Sequence, residues 1–468
     1  MVFSSNAFLF FFLPIVLGFY FLFRKNRTAA NTILTIFSLL FYAWGEPAFV
    51  FVMLASIFMN WLFALGIDHF RARRNTAKAL LAASCVLNVG LLGVFKYTTF
   101  IVTNLNKAFS LNLPDPGLAL PIGISFFTFQ AMSYVIDIYR QKGEVQKNFM
   151  GVCLYISFFP QLIAGPIVRY QTIADEIKNR KETLDDFCAG LRRFLVGFAK
   201  KVILANNLAL VVDKVFACPQ SEVSVALMWY AAIAYLIQVY YDFSGYSDMA
   251  IGLGRMFGFH FLENFDYPFL SKSVAEFWRR WHISLTSWFR DYVFFPMGGS
   301  RVKTGRLIFN MFVVWSLTGL WHGAEWTYLL WGVGFFLVQV IERLTGIGKR
   351  MEKKWYGHIY AMFFVVVVTV LIRSESVLHA LNHYKTMFFL NGAPLWNTLT
   401  GILAHEYGVF FLVSIVVSLP VGPFLEKKLH IPAPVSEIAR FLGLVAVTVI
   451  AFTYVIAGSY NPFIYFNF

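Results

Sequence analysis

Phe49–Ile67 reads FVFVMLASIFMNWLFALGI, an apolar run with no charged side chain. A helix over it would extend roughly 28 Å at 1.5 Å per residue, close to the thickness of a bilayer's hydrocarbon core. The run has company. Ala7–Phe23, Thr32–Trp44, Ala79–Phe95, Leu120–Ile138, Leu191–Val212, Val223–Tyr240, Leu307–Leu320, Trp326–Ile341, Ile359–Ile372, Tyr407–Leu425 and Phe441–Ile456 are further candidate spans. The pattern predicts an all-α polytopic membrane protein with about 11–12 transmembrane helices, since each span needs about 20 mostly apolar residues.

Composition leaves little else open. Of 468 residues, 58% are hydrophobic and 14% charged, against about 25% charged in soluble proteins. A chain this poor in charge cannot cover itself with a polar shell, which excludes disorder, coiled coil, collagen and secreted disulfide scaffolds. The four cysteines, Cys85, Cys153, Cys188 and Cys218, have no metal-ligand or framework spacing, so no disulfide and no metal site is expected. No linker or internal repeat divides the chain, which reads as one membrane domain over 1–468.

The net charge of +14 is read as membrane topology and not as nucleic-acid binding. Most of the 39 basic residues fall in Arg24–Arg27, Arg71–Lys78, Arg140–Lys147, Arg169–Lys201, Lys272–Arg306, Arg343–Lys354 and Lys427–Lys428. Basic loops stay in the cytoplasm. The candidate spans place nearly all of these clusters there and leave the N-terminus outside a multi-pass cell (inner or plasma) membrane. Ala7–Phe23 lacks a basic stretch before it and a cleavage site after it, and is expected to be retained as a helix.

Three stretches break the pattern. Phe149–Val168 lies between basic clusters and carries Pro160, Gly165 and Pro166, which interrupt a helix; such backbone survives at membrane depth only when buried in protein or lining a cavity. It is expected to be re-entrant. Tyr241-Asp242-Phe243-Ser244-Gly245-Tyr246-Ser247-Asp248 reads as a second irregular segment, because its carboxylates and hydroxyls are costly unless they face a cavity or each other. Gly254 and Gly258 have the spacing of a close helix contact.

Ser271–Arg290 (SKSVAEFWRRWHISLTSWFR) reads as one amphipathic helix lying in the membrane interface. Ser273 and Glu276 have capping-box spacing, aromatics mark one face, and Lys272, Arg279, Arg280, Ser287 and Arg290 lie largely on the other. His282 falls with the aromatics, either as a core histidine bonded to a neighbour or as a functional group. His322 closes the short apolar run Leu307–Leu320, at the break Thr318-Gly319-Leu320-Trp321-His322-Gly323 before Trp326. An ionisable residue between two apolar helices is a functional hypothesis by default, with general acid or base chemistry set against a structural histidine. The remaining histidines offer no motif: His405-Glu406 lacks the second histidine of a zinc helix.

Taken together, several motifs match one family. They are Met1–Ser5, Pro121-Ile122-Gly123-Ile124-Ser125-Phe126, Phe159-Pro160-Gln161 with Gly165-Pro166, and Tyr241–Ala250. To these are added Phe277-Trp278-Arg279-Arg280-Trp281-His282-Ile283-Ser284-Leu285, Leu320-Trp321-His322-Gly323, and Asn461-Pro462-Phe463-Ile464-Tyr465-Phe466. The chain resembles the membrane-bound O-acyltransferases, and within them the alginate O-acetyltransferase AlgI subgroup. The resemblance implies a helical bundle with re-entrant and interfacial helices around a central tunnel, His322 as the essential catalytic histidine and His282 as the second functional one. It implies no permanently bound cofactor and a donor entering from the cytoplasm, with acetyl-CoA as the expected substrate. The acceptor would be an extracytoplasmic polysaccharide or a secreted partner acyltransferase. Such chemistry casts His322 as base toward the attacking hydroxyl, or as a covalent acetyl carrier. His282 would position the thioester or stabilise the oxyanion. Arg279, Arg280 and Arg290 would meet the phosphates of the donor or anchor lipid headgroups.

Two rival readings accompany this one. D-alanyl transfer toward teichoic acids uses the same fold and two histidines with a carrier-protein thioester. A non-enzymatic exporter of polysaccharide or lipid would show paired broken helices in repeated halves, which the sequence lacks.

Overall fold

The computed structural model describes residues 1–458 and 460–462, so 463–466 of the closing motif lie outside the described residues. The described residues form helices and no strand. They gather into two compact units, Met1–Phe194 with Met249–Leu262, and Leu195–Asp248 with Glu263–Phe468.

The first unit begins with α1 (Leu13–Phe23), α2 (Arg27–Ala43), α3 (Phe49–His69), α4 (Arg74–Leu92) and α5 (Thr98–Phe109). It continues with α6 (Ile124–Tyr139), α7 (Phe149–Ser157), α8 (Phe159–Leu162), α9 (Tyr170–Asn179) and the start of α10 (Leu184–Ala199). The stretch expected to be broken is broken. Between α7 and α8 the chain leaves the helix at Phe158, and after α8 it turns through 163–165 and runs without regular structure to α9. Residues 158–168 are all buried in protein, as backbone interrupted by two prolines requires. Polar residues on α3 and α4 pair across the helices: Asn60 and Asn88 exchange amide hydrogen bonds at 3.0 and 2.8 Å, and Ser84 joins them.

The second unit holds α11 (Asn206–Ala217), most of α12 (Val225–Met256), α13 (Val274–Arg280), α14 (Ile283–Phe289), α15 (Thr304–His322), α16 (Trp326–Thr345) and α17 (Ile347–Glu352). α18 (Gly357–Arg373), α19 (Val377–Met387), α20 (Thr398–Val417), α21 (Val421–Leu429) and α22 (Ala433–Ile456) complete it. Among the described residues six helical stretches are long and apolar enough to cross a membrane: Phe49–His69, Arg74–Phe109, Leu184–Ala217, Trp326–Thr345, Thr398–Val417 and Ala433–Ile456. Phe8–Phe23 and Gly357–Arg373 are shorter apolar helices. Others of the candidate spans, α2, α6, α12 and α15, are helical but shorter or more polar. The chain is a multi-pass membrane protein.

Three expectations need correction. Tyr241–Asp248 is not irregular; it is part of the uninterrupted α12. Its carboxylates are neutralised by neighbours distant in sequence: Asp242 pairs with Lys201 at 2.6 Å and Asp248 with Lys200 at 2.7 Å. One buried and one partly buried ion pair remove the cost that argued against a helix. Gly258 does not pack a helix; it lies beyond α12 at φ 82°. The close contact belongs to Gly252, where a Cβ would stand 2.5 Å from the Gly190 carbonyl oxygen. Finally, Ser271–Arg290 is two helices, α13 and α14, broken at Trp281–His282, and its aromatic face turns into the protein, with Val274, Phe277, Trp278 and Trp281 all buried. The aromatic stripe is a core face.

Candidate active site

Everything in this site belongs to the second unit. α13 is fixed at its N-terminus by two carboxylates. Ser273 accepts from the Glu276 backbone N–H at 3.0 Å, as the capping box predicts, while Glu276 returns a bond to Lys272 N. Glu342, reaching from α16, accepts from Val274 N at 2.7 Å and Ala275 N at 2.9 Å. These are the donors a helix start leaves unsatisfied. α13 ends at Arg280, and the turn into α14 is made at His282, whose φ of 45° lies in the left-handed region that side chains rarely adopt.

Asn264 holds that strained turn. Its carbonyl accepts from Ile283 N at 2.9 Å, and Asp266 N donates to Arg280 O at 2.9 Å, so the two segments run paired. The Asn264 Oδ1 accepts from Ser284 N at 3.2 Å and Ser284 Oγ at 2.9 Å, which fixes the orientation of the amide. The same oxygen lies 3.2 Å from His282 Nδ1. Since it can only accept, Nδ1 carries the hydrogen, and the buried Nε2, which has no hydrogen-bond partner, presents a lone pair. Asn264 Nδ2 in turn donates to Ser247 on α12 at 3.1 Å. His282 is 1% exposed.

His322 is the last residue of α15. Its Nδ1 donates to the Thr318 carbonyl one turn back at 2.7 Å, which makes Nε2 the basic atom of this ring too. Trp321 and Trp331 pack edge-on against it with centroids at 4.9 and 4.8 Å, and Trp321 also contacts the His282 ring at 5.9 Å. Glycines explain how α15 and α16 come so close: a Cβ on Gly319 would stand 2.5 Å from Tyr328 O, and one on Gly332 2.3 Å from Trp315 O. Gly319 and Gly323 both stand against α16 and its Tyr328.

Two cavities lie here. A small one, about 40 Å³, is lined by His322, Trp331, Trp278, Trp281, Tyr235 and Thr369 among others. A larger one, about 300 Å³, is lined by Arg279, Arg290, Arg343, Gln339, Trp315 and Thr318 among others, and Trp278 borders both. Met311, Trp315 and Thr318 line the larger one on successive turns of α15, so it follows that helix for roughly 10 Å at 1.5 Å per residue and stops one turn short of His322. Of the arginines predicted to meet donor phosphates, Arg279 and Arg290 line this chamber; Arg280 is turned away, paired with Glu276 at 3.0 Å and Asp266 at 3.1 Å. Arg279 and Arg290 also have carboxylate neighbours, Glu352 and Asp291. Sequence reading missed Arg343, Gln339 and Asn264. The first two follow from α16 running antiparallel to α15; for Asn264, in an irregular segment between helices, no signal in the sequence marks the role.

Comparison with known proteins agrees with this architecture. Residues 140–398 match the family described as MBOAT, membrane-bound O-acyltransferase family. The chain is 37% identical to the probable alginate O-acetylase AlgI of Pseudomonas putida over the whole of both proteins. It is 30% identical to the peptidoglycan O-acetyltransferase of Helicobacter pylori, covering all of this chain and 98% of that protein. Against the teichoic acid D-alanyltransferase of Bacillus subtilis it is 32% identical over 47% of this chain and 58% of the relative. With its all-helical membrane fold and a family match spanning more than half its length, the chain belongs to the membrane-bound O-acyltransferase family and is an acyltransferase.

Proposed function

We propose that the protein moves an acetyl group from cytoplasmic acetyl-CoA to a hydroxyl beyond the membrane, on an exopolysaccharide such as alginate or on a secreted partner that passes it on. The observation that carries this reading is an arginine-lined chamber along α15 that ends at Thr318, the residue whose carbonyl pins the His322 imidazole. Arg279, Arg290 and Arg343 suit the phosphates of the donor, and the small cavity at His322 suits its acyl end. Nε2 of His322 takes the proton of the acceptor hydroxyl while that oxygen attacks the thioester carbonyl. The C–S bond then breaks, and the leaving thiolate takes the proton back from the imidazolium. His282 presents a second acceptor atom, suited to orienting the hydroxyl.

Two features favour acetyl, the first against long acyl chains and the second against D-alanyl. The His322 cavity, at about 40 Å³, suits a two-carbon acyl group and not a long chain. Among its lining residues no carboxylate stands ready for an ammonium group, which would be costly to bury unpaired. Membranes containing the full chain, given radiolabelled acetyl-CoA, should transfer label to envelope carbohydrate. His322→Ala should abolish that transfer while inserting at the same level; full activity in the variant would refute the assignment, and label taken only from an alanylated carrier would replace the donor.

A further inference from the structure

Two indole N–H groups in the wall of the His322 cavity, Trp278 Nε1 and Trp331 Nε1, are buried without a hydrogen-bond partner. A buried donor left unmade costs about 1–3 kcal/mol, and buried tryptophans usually find a partner for this group. Phenylalanine would serve the wall without that cost, as Phe277 and Phe335 already do beside them. The Trp278 ring packs on Trp315, Trp331 and Phe335. Trp331 is the one seated against the base, with its ring centroid 4.8 Å from that of His322. Its neighbour Gly332 locks α16 onto α15, so indole and imidazole are held in fixed register.

Acyl transfer builds negative charge on the carbonyl oxygen, and N–H donors aimed at that oxygen are the usual means of stabilising it. The imidazoles do not supply them: His282 Nδ1–H goes to Asn264 and His322 Nδ1–H to Thr318. We infer that Trp331 is a further catalytic residue, its Nε1–H donating to the thioester carbonyl oxygen. As the acceptor oxygen bonds to the carbonyl carbon, the C=O π pair moves onto the oxygen under this hydrogen bond. When the pair returns, the C–S bond breaks and sulfur leaves as the thiolate that reclaims the proton from His322. The inference rests on the general-base reading of His322.

The test is acetyl transfer by membranes containing the full chain, with acetyl-CoA varied and insertion matched between variants. Trp331→Phe should lower kcat about a hundredfold, as loss of one oxyanion donor does, with KM for acetyl-CoA within about twofold. Because Trp331→Phe could disturb packing, 3-benzothienylalanine at position 331 keeps both rings and replaces the N–H by sulfur; it should show the same loss. If the benzothienyl protein transfers acetyl within about threefold of the parent while His322→Ala is inactive, Trp331 is a wall residue and only this inference falls. An active His322→Ala would overturn both assignments.

Discussion

At the scale of single residues, the site depends on which imidazole nitrogen carries hydrogen. Asn264 settles this for His282 through an amide whose orientation is fixed by a backbone N–H, and Thr318 settles it for His322 through a carbonyl one turn away. The Asn264 side chain therefore acts through His282 and is a positioning residue. Replacing it with Ala removes the acceptor for Nδ1–H and for Ser284 together, frees the tautomer, and removes the partner of Ser247. Acetyl transfer should fall about 10–100-fold, the scale seen when a partner that orients a functional histidine is removed. Asn264→Asp keeps the acceptor oxygens and should recover part of that loss. A rate unchanged in Asn264→Ala would show that the hydrogen bond seen here has no part in turnover.

At the scale of elements, the α15–α16 hairpin carries His322 and Trp331 on two helices in near backbone contact. Gly332→Ala puts a methyl group where the Trp315 carbonyl oxygen leaves 2.3 Å, and neither backbone can yield without parting the helices. Overpacking of this kind costs about 1–3 kcal/mol. The purified variant should melt at lower temperature and lose activity with it, whereas Gly346→Ala, with nothing within 4 Å but φ 69°, should cost only backbone strain. An unchanged melting temperature for Gly332→Ala would show that the hairpin is looser than it stands here. The hairpin was legible in the sequence because a glycine pair and a histidine interrupt two apolar runs. The break at His282 was not, since Val274–Phe289 keeps helical periodicity straight through it; the turn is imposed by pairing with the segment around Asn264, which no local pattern announces. Tyr241–Asp248 failed for the opposite reason. Its polarity looked incompatible with a buried helix because Lys200 and Lys201, the neutralising groups, lie some forty residues away in sequence.

At the scale of the whole molecule, the proposed reaction needs a donor side and an acceptor side, and the basic stretches predict which is which. Arg343 lines the arginine-bearing chamber at one end of α16, and the basic stretch through Lys354 follows at that same end. Two helices, α18 and α20, separate this stretch from Lys427–Lys428, so the segment from Ser374 to Asn397 must lie on the opposite side if both basic stretches are cytoplasmic. That segment presents Leu390, Leu395 and Trp396 largely exposed. In a background with the four native cysteines replaced by Ala, single cysteines at Lys349 and Trp396 report the two faces. A membrane-impermeant maleimide added to intact cells should label Trp396→Cys and leave Lys349→Cys unlabelled until the membrane is opened. The reverse result would put the arginine-lined chamber outside, away from cytoplasmic acetyl-CoA. His322 could then still be a base, but the direction of transfer proposed for it would be wrong.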